Sequence, residues 1–295
     1  MFSYNAGTSW FGIMSDLEIG KLPALRVIAL ESLVLHERPD EERWKDLLRR
    51  IRSDGLLRHP PIAARDQGEA AHLLLDGVNR IEALRRLGAR WALVQEVDLN
   101  DERVVLSTWH HALEGLDGFN LLEWIRRSHR VTEGQSEFDP TGDFVPHYEG
   151  DTVCLIVLPD RSTYAVHAEK DLTARLETVS EIVDLVHTAS NRDRVSYTNV
   201  NDLKKHYWNF STLVCYRSFT KQELLTLSLQ GLKFPSGVTR FSVPKRVLYF
   251  DVPLSFLKEG DSIEGKRAEL VEIIGTKIKE KKIRFYTEPT FIFDD

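Results

Sequence analysis

A chain of 295 residues, 42% hydrophobic and 28% charged, can bury one large core or two modest ones, and its length favours two. A net charge of −6 argues against a dedicated nucleic-acid binder, and two cysteines are too few for a disulfide framework or a thiolate metal site, which fits a reducing, cytoplasmic setting. No stretch approaches the roughly 20 uninterrupted apolar residues of a membrane helix, and Met1–Ile13 lacks the basic start and apolar centre of a signal peptide.

In chain order, residues 1–22 mix Gly, Ser and aromatics without a sustained period and read as an irregular arm. Arg26–Leu30 predicts a strand, and Glu31–Leu35 leads into a loop at His36-Glu37-Arg38, because Pro39 keeps Arg38 out of the helical region. Asp40 stands at a cap position. Trp44, Leu47, Leu48 and Ile51 then recur at helical spacing until Gly55 stops the helix. Pro60-Pro61 fixes a turn into a strand over 62–64, Gln67-Gly68-Glu69 predicts a hairpin, and Leu73–Leu75 reads as a buried strand. That strand breaks at Asp76-Gly77 into a helix with Ile81, Leu84 and Leu87 on one face and Gly88 as its stop, followed by a strand over 91–97. Val104–His111 is expected to extend the same sheet.

The pattern then predicts a helix over 120–130 and a polar, proline-broken seam over 131–150. Strands follow over 153–158 and 162–167, helices over 172–189 and 221–231, a strand over 246–252, a helix over 264–279 and a strand over 283–293. The fold class is α/β (α+β), in two units: 1–118 with the arm, and a second α/β domain over 119–295.

A strand that turns abruptly into a helix leaves the first helical N–H groups unpaired at the positive end of the dipole, so the turn at Asp76–Arg80 is a ready anion site. Arg80 adds a forked cation, and Asp76 could hold a metal ion or orient a hydroxyl. The pattern alone leaves open whether Asp76 only caps the helix and Arg80 is a solvated charge. His36, Glu37, His59 and Trp109–His111 fall on strand ends or loops of the same unit, and such positions can gather at one sheet edge. Glu37 there has the chemistry of a general base, or is a solvated loop acid. His110 and His111 are adjacent on a strand and point to opposite faces, so they do not share an ion. Thr239 and Arg240, in a turn-rich stretch, suit a carboxylate or phosphate. No Walker loop, GxGxxG, GxSxG or zinc spacing is present.

Leu73-Leu74-Leu75-Asp76-Gly77-Val78-Asn79-Arg80, followed by Ala83-Leu84-Arg85-Arg86-Leu87-Gly88, resembles the ParB/sulfiredoxin fold, whose members bind nucleotide phosphates at this turn. His36-Glu37, Arg58-His59-Pro60, Ser107-Thr108-Trp109, Gly237-Val238-Thr239-Arg240-Phe241 and Val252-Pro253-Leu254 together look like the free serine kinases, including those attached to siderophore biosynthesis. The resemblance implies a kinase that converts free L-serine to O-phospho-L-serine with an adenine nucleotide, ATP or ADP, and Mg²⁺. It makes Glu37 the base and places Asp76 between Mg²⁺ and substrate. His59, Gly77, Val78, Asn79 and Arg80 fall at the phosphates. Trp109 and His110 wall the serine pocket, and Thr239 and Arg240 close it from the second unit. Val78-Asn79 stands where such kinases often carry Val-His or His-His. The rival reading is a ParB-like regulator that binds nucleotide and DNA without kinase activity; the acidic chain and the lack of a helix-turn-helix pattern speak against it. A sulfiredoxin-like reductase would need a cysteine at the turn, where the chain has Val78.

Overall fold

The computed structural model describes residues 22–65, 72–115, 117–189, 191–260 and 262–285. The expected arm over 1–22 lies almost wholly outside them, and the expected hairpin turn at 67–69 lies fully outside. Of the strand expected over 283–293, residues 283–285 are not in a strand, and the remainder lies outside the described residues.

The first sheet is built from β1 (Ala24–Ala29), β2 (Leu33–Leu35), β4 (Ile62–Arg65), β5 (His72–Asp76) and β6 (Trp91–Val97), with the short β3 (Leu56–Leu57) beside it. Its order is β1-β6-β4-β5-β2, with β6/β4 and β5/β2 parallel and the other pairs antiparallel. The parallel register Leu35↔Leu74 brings the C-terminal ends of β2 and β5 side by side. Strand periodicity sorts their side chains. Leu74 and Ala63 enter one core, while Leu73, Leu75, Ile62 and Ala64 face the other.

α1 (Glu41–Asp54) forms because Asp40 caps it, its carboxylate accepting the Arg43 N–H at 3.1 Å, and Gly55 ends it in the left-handed region at φ 68°. α2 (Val78–Arg86) packs against α1 over the first core, burying Ile81, Ala83 and Leu84. The core is completed from far along the chain. Phe250, Val252, Phe256, Leu257 and Leu270, on β15 (Val252–Pro253), α7 (Leu254–Lys258), α8 (Ile263–Lys279) and the loop before them, belong to it, and β15 pairs with β3.

β7 (Val105–Thr108) does not extend the first sheet: it pairs with β14 (Thr239–Ser242) in a two-stranded ribbon. β8 (His110–Glu114) lies in the second sheet, with β9 (Arg130–Glu133), β10 (Thr152–Val157), β11 (Thr163–His167), β12 (Arg192–Val195) and β13 (Phe210–Tyr216), in the order β12-β8-β13-β10-β11-β9 and antiparallel throughout. The second sheet begins in the chain at His110, and the tail over 250–279 packs Phe250, Val252, Phe256, Leu257 and Leu270 into the first core. α3 (Asp117–Ser128), α4 (Leu172–Thr188) and α6 (Lys221–Leu229) contribute to the core that lies between the sheets, and α5 (Val200–His206) covers the far face of the second. Of the strand expected over 246–252 only Val252 lies in a strand, β15; residues 246–251 are irregular, with Tyr249 and Asp251 at positive φ. No helix among the described residues is long and apolar enough to cross a membrane.

Candidate active site

The adjacent ends of β2 and β5 place His36-Glu37 beside Asp76-Gly77, at the carboxyl edge of two parallel strands where α/β folds gather ligands. Gly77 caps α2 in the left-handed region at φ 99°, with no side-chain cap, so the N–H groups of Val78, Asn79 and Arg80 open the helix unclosed. A Cβ on Gly77 would stand 2.9 Å from Pro61 Cβ and 3.0 Å from the Arg80 guanidinium, so this turn requires glycine. Val78 sends its side chain into the first core and offers only its backbone. Asn79 Oδ1 accepts the Asp40 N–H at 2.8 Å, which ties the start of α2 to the start of α1.

Arg80 does not reach out over this helix end. Its guanidinium donates to the carbonyls of His59 (2.7 Å) and Pro60 (3.3 Å) and to Asp76 Oδ2 (2.9 Å), with the side chain 14% exposed. Arg246, from the irregular segment, donates to the same Asp76 oxygen and is more open, at 43%. Burial alone would raise the Asp76 pKa, but the Arg80 and Arg246 guanidiniums outweigh it and hold the carboxyl below its usual value. His59 Nδ1 accepts the Tyr249 N–H at 3.1 Å, with its ring edge-on to Tyr249.

Glu37 is held differently. Its Oε1 accepts the Gly237 N–H at 2.5 Å and its Oε2 the Thr239 hydroxyl at 2.7 Å, so two donors two hundred residues away fix a side chain on the β2 loop. Backbone bonds brace the contact: Phe234 N–H donates to His36 O at 2.7 Å, and Arg38 N–H to Phe234 O at 2.8 Å. His36 is buried, with Nδ1 2.5 Å from Leu74 O and Nε2 2.9 Å from Thr239 Oγ1.

The ribbon carries Trp109 to the same place, its N–H bonded to Val238 O at 2.8 Å. Arg240 lies over the indole at 4.5 Å and Arg194, on β12, at 5.9 Å. Among the described residues no hydrogen bond or ion pair engages either guanidinium, and the Arg194 charge is felt by Glu37 and Asp40. The residues expected from the sequence, Glu37, Asp76, Gly77, Asn79, Arg80, Trp109, Thr239 and Arg240, thus come from the ends of β2 and β5, the start of α2 and the β7–β14 ribbon. His110 sits apart from them by its role: it is a second-sheet residue paired with Val195, and burial pushes its pKa down to about 4. Arg246, Arg194 and the Gly237 N–H were not singled out from the sequence. Lys245-Arg246 after Pro244 was the only local cue for the first, and a basic pair in a loop is too common to act on.

Cys154 and Cys215 are both buried and free, on adjacent strands and in opposite cores, and burial pushes both thiols up. Neither can serve as a nucleophile at the Gly77 turn, which removes the reductase reading.

An ATP-dependent L-serine kinase of Desulfurococcus mucosus is 30% identical over 222 residues, which cover 74% of this chain and 85% of that one. The chain belongs to the ATP-dependent L-serine kinase family. The family's Staphylococcus aureus member SbnI is 25% identical over 270 residues, 92% of this chain and 97% of SbnI. The structure of SbnI with a C-terminal truncation shares the fold, with a TM-score of 0.69 and 23% identity, covering 86% of this chain and 96% of that one. No protein-family model matches the chain.

Proposed function

We propose that the protein transfers the γ-phosphoryl group of ATP to the hydroxyl of free L-serine, giving O-phospho-L-serine, with Glu37 as general base. The observation that carries this reading is the Glu37 carboxylate, fixed by the Gly237 N–H and the Thr239 hydroxyl beside the uncapped start of α2. Family membership names the donor and acceptor classes, and the geometry supports which residues serve each.

The nucleotide phosphates lie on the N–H groups of Val78, Asn79 and Arg80, where the helix dipole favours negative charge. Gly77 lets the backbone approach, and Arg80 braces the turn from beneath while Arg246 supplies the outward cation. His59 holds the 249 loop against this turn. Both guanidiniums bond Asp76 Oδ2, which leaves Oδ1 outside those bonds, and no cluster of three or more His, Cys, Asp or Glu is present among the described residues. This fits Mg²⁺ arriving with the nucleotide, which keeps its waters and needs one or two carboxylates. When bound there, Mg²⁺ neutralises charge on the transferring phosphoryl group.

Phosphoryl transfer asks the protein mainly for alignment and charge stabilisation. Glu37 aligns the serine hydroxyl and takes its proton as the bond to phosphorus forms. Trp109 walls the amino acid, and Arg240, with Arg194 across the indole, receives its carboxylate. A cytoplasmic setting, in which the product enters a biosynthetic pathway such as siderophore assembly, suits this reading: the chain carries two cysteines, both free and buried. Incubation with Mg²⁺, ATP or ADP, and each free amino acid in turn, with mass detection, tests this: O-phospho-L-serine with ATP is expected, and no phosphorylated amino acid would refute it.

A further inference from the structure

His36, Thr239 and Glu37 form a chain of contacts whose hydrogens can be counted. His36 Nδ1 is 2.5 Å from the Leu74 carbonyl oxygen, Nε2 is 2.9 Å from Thr239 Oγ1, and Thr239 Oγ1 is 2.7 Å from Glu37 Oε2. A carbonyl cannot donate, so Nδ1 carries a hydrogen. The Thr239 hydroxyl has one hydrogen to place in its two contacts. A neutral His36 and an ionised Glu37 therefore bring two hydrogens to three contacts, and in one of them lone pair faces lone pair. One added proton completes the set, either on Glu37 with Thr239 donating to Nε2, or on Nε2 with Thr239 donating to Glu37.

We propose that the proton Glu37 takes from the serine hydroxyl is drawn through the Thr239 hydroxyl onto His36, so that the three residues form one proton-accepting unit. This rests on the reading of Glu37 as base. The serine O–H bond breaks and a Glu37 O–H bond forms. That bond then breaks as Thr239 gains its hydrogen and gives its own to Nε2, leaving a carboxylate and an imidazolium. The chain holds a hydrogen in every contact only after the proton has arrived, so the network favours the product of proton transfer. His36 touches no substrate and acts as a positioning residue through Thr239.

The surroundings suit the task. Burial, the largest influence, pushes the His36 pKa down, so the ring begins neutral and able to receive. Glu37 on its own loop and Asp76 at the end of β5 favour the imidazolium, with Arg80 and Arg246 balancing Asp76, and Arg194 faces Glu37 from β12. The rings of Phe234 and Phe241 stand 6.5 and 5.8 Å from His36. The plainer role, a latch tying β5 to β14, would need the contacts but no moving proton.

The test compares pH profiles of kcat/KM for L-serine in Thr239→Val and Thr239→Ser. The protonated unit is the inactive form and the hydroxyl stabilises it, so removing the hydroxyl lowers the pH at which activity is lost. Thr239→Val is expected to lower kcat by about 10–100-fold and to move the acid limb down by about one pH unit, with nucleotide affinity unchanged. Thr239→Ser, which restores the hydroxyl, is expected to keep the wild-type limb. An unmoved limb in Thr239→Val, or a Thr239→Ser profile matching it, would overturn the proposal. The ¹⁵N titration of the His36 ring needs no turnover. A lower midpoint in Thr239→Val supports the chain even if serine proves not to be the substrate, and equal midpoints overturn it even if serine is.

Discussion

Two carboxylates stand at the ends of neighbouring parallel strands, and their environments are opposite. Asp76 is wrapped by two guanidiniums on one oxygen, whereas Glu37 is held by a backbone N–H and a hydroxyl. A carboxylate clamped by two cations is kept ionised and is a poor acceptor of a proton. One held by neutral donors is positioned without being neutralised. Paired acids whose surroundings differ in this way suit different roles, and the proposed assignment, electrostatic for Asp76 and basic for Glu37, follows that difference.

The comparison holds only while the fold does, and acid sets that limit with the largest expected effect. Burial holds the pKa of His110 at about 4 and, with help from neighbouring cations, that of His111 at about 3. Both are depressed below the unfolded value near 6.5, so the unfolded chain binds more protons and stability falls as pH drops below about 6.5. Thermal or urea unfolding is expected to show a loss of about 2 kcal/mol per histidine between pH 7 and pH 5. Flat stability over that window would mean that the second sheet does not bury these rings.

Arg80→Ala sharpens the contrast next, because it strips Asp76 of its inner cation and frees two carbonyls. A stability loss of about 2–3 kcal/mol is expected, together with weaker nucleotide binding. Nucleotide affinity lost without any change in stability would make Arg80 a direct ligand instead of a brace. Gly77→Ala, forced into the left-handed region against Pro61, is expected to cost about 2 kcal/mol and to displace the first turn of α2. Arg246→Ala has the smallest effect on the fold, under about 1 kcal/mol for a half-exposed pair, yet nucleotide affinity read by calorimetry is expected to fall about tenfold. Unchanged affinity would leave Asp76 with a merely structural partner.

Much of the fold was legible where local chemistry decides it. Asp40 and Gly55 bracket α1, and the break at Asp76-Gly77 marks the passage from β5 to α2, because caps and left-handed turns are local. β13 is a run of buried residues at the centre of the second sheet, yet it has neither alternation nor helical period to announce it. The return of 250–279 to the first core was not legible at all, since its apolar pattern is the same whichever core it fills. At the site, motif resemblance gathered Glu37, Trp109 and Thr239, but not their bonding. That Glu37 is fixed by Gly237, and that Arg246 crosses to Asp76, are long-range contacts no spacing encodes.

The difference between the two carboxylates is tested most directly by Glu37→Gln, assayed for kcat with L-serine and ATP and separately for nucleotide affinity. The amide keeps the size and one acceptor but cannot take a proton. The expected result is a fall in kcat of about 10²–10⁴-fold with nucleotide binding nearly intact. Turnover within a few-fold of wild type would show that Glu37 is not the base.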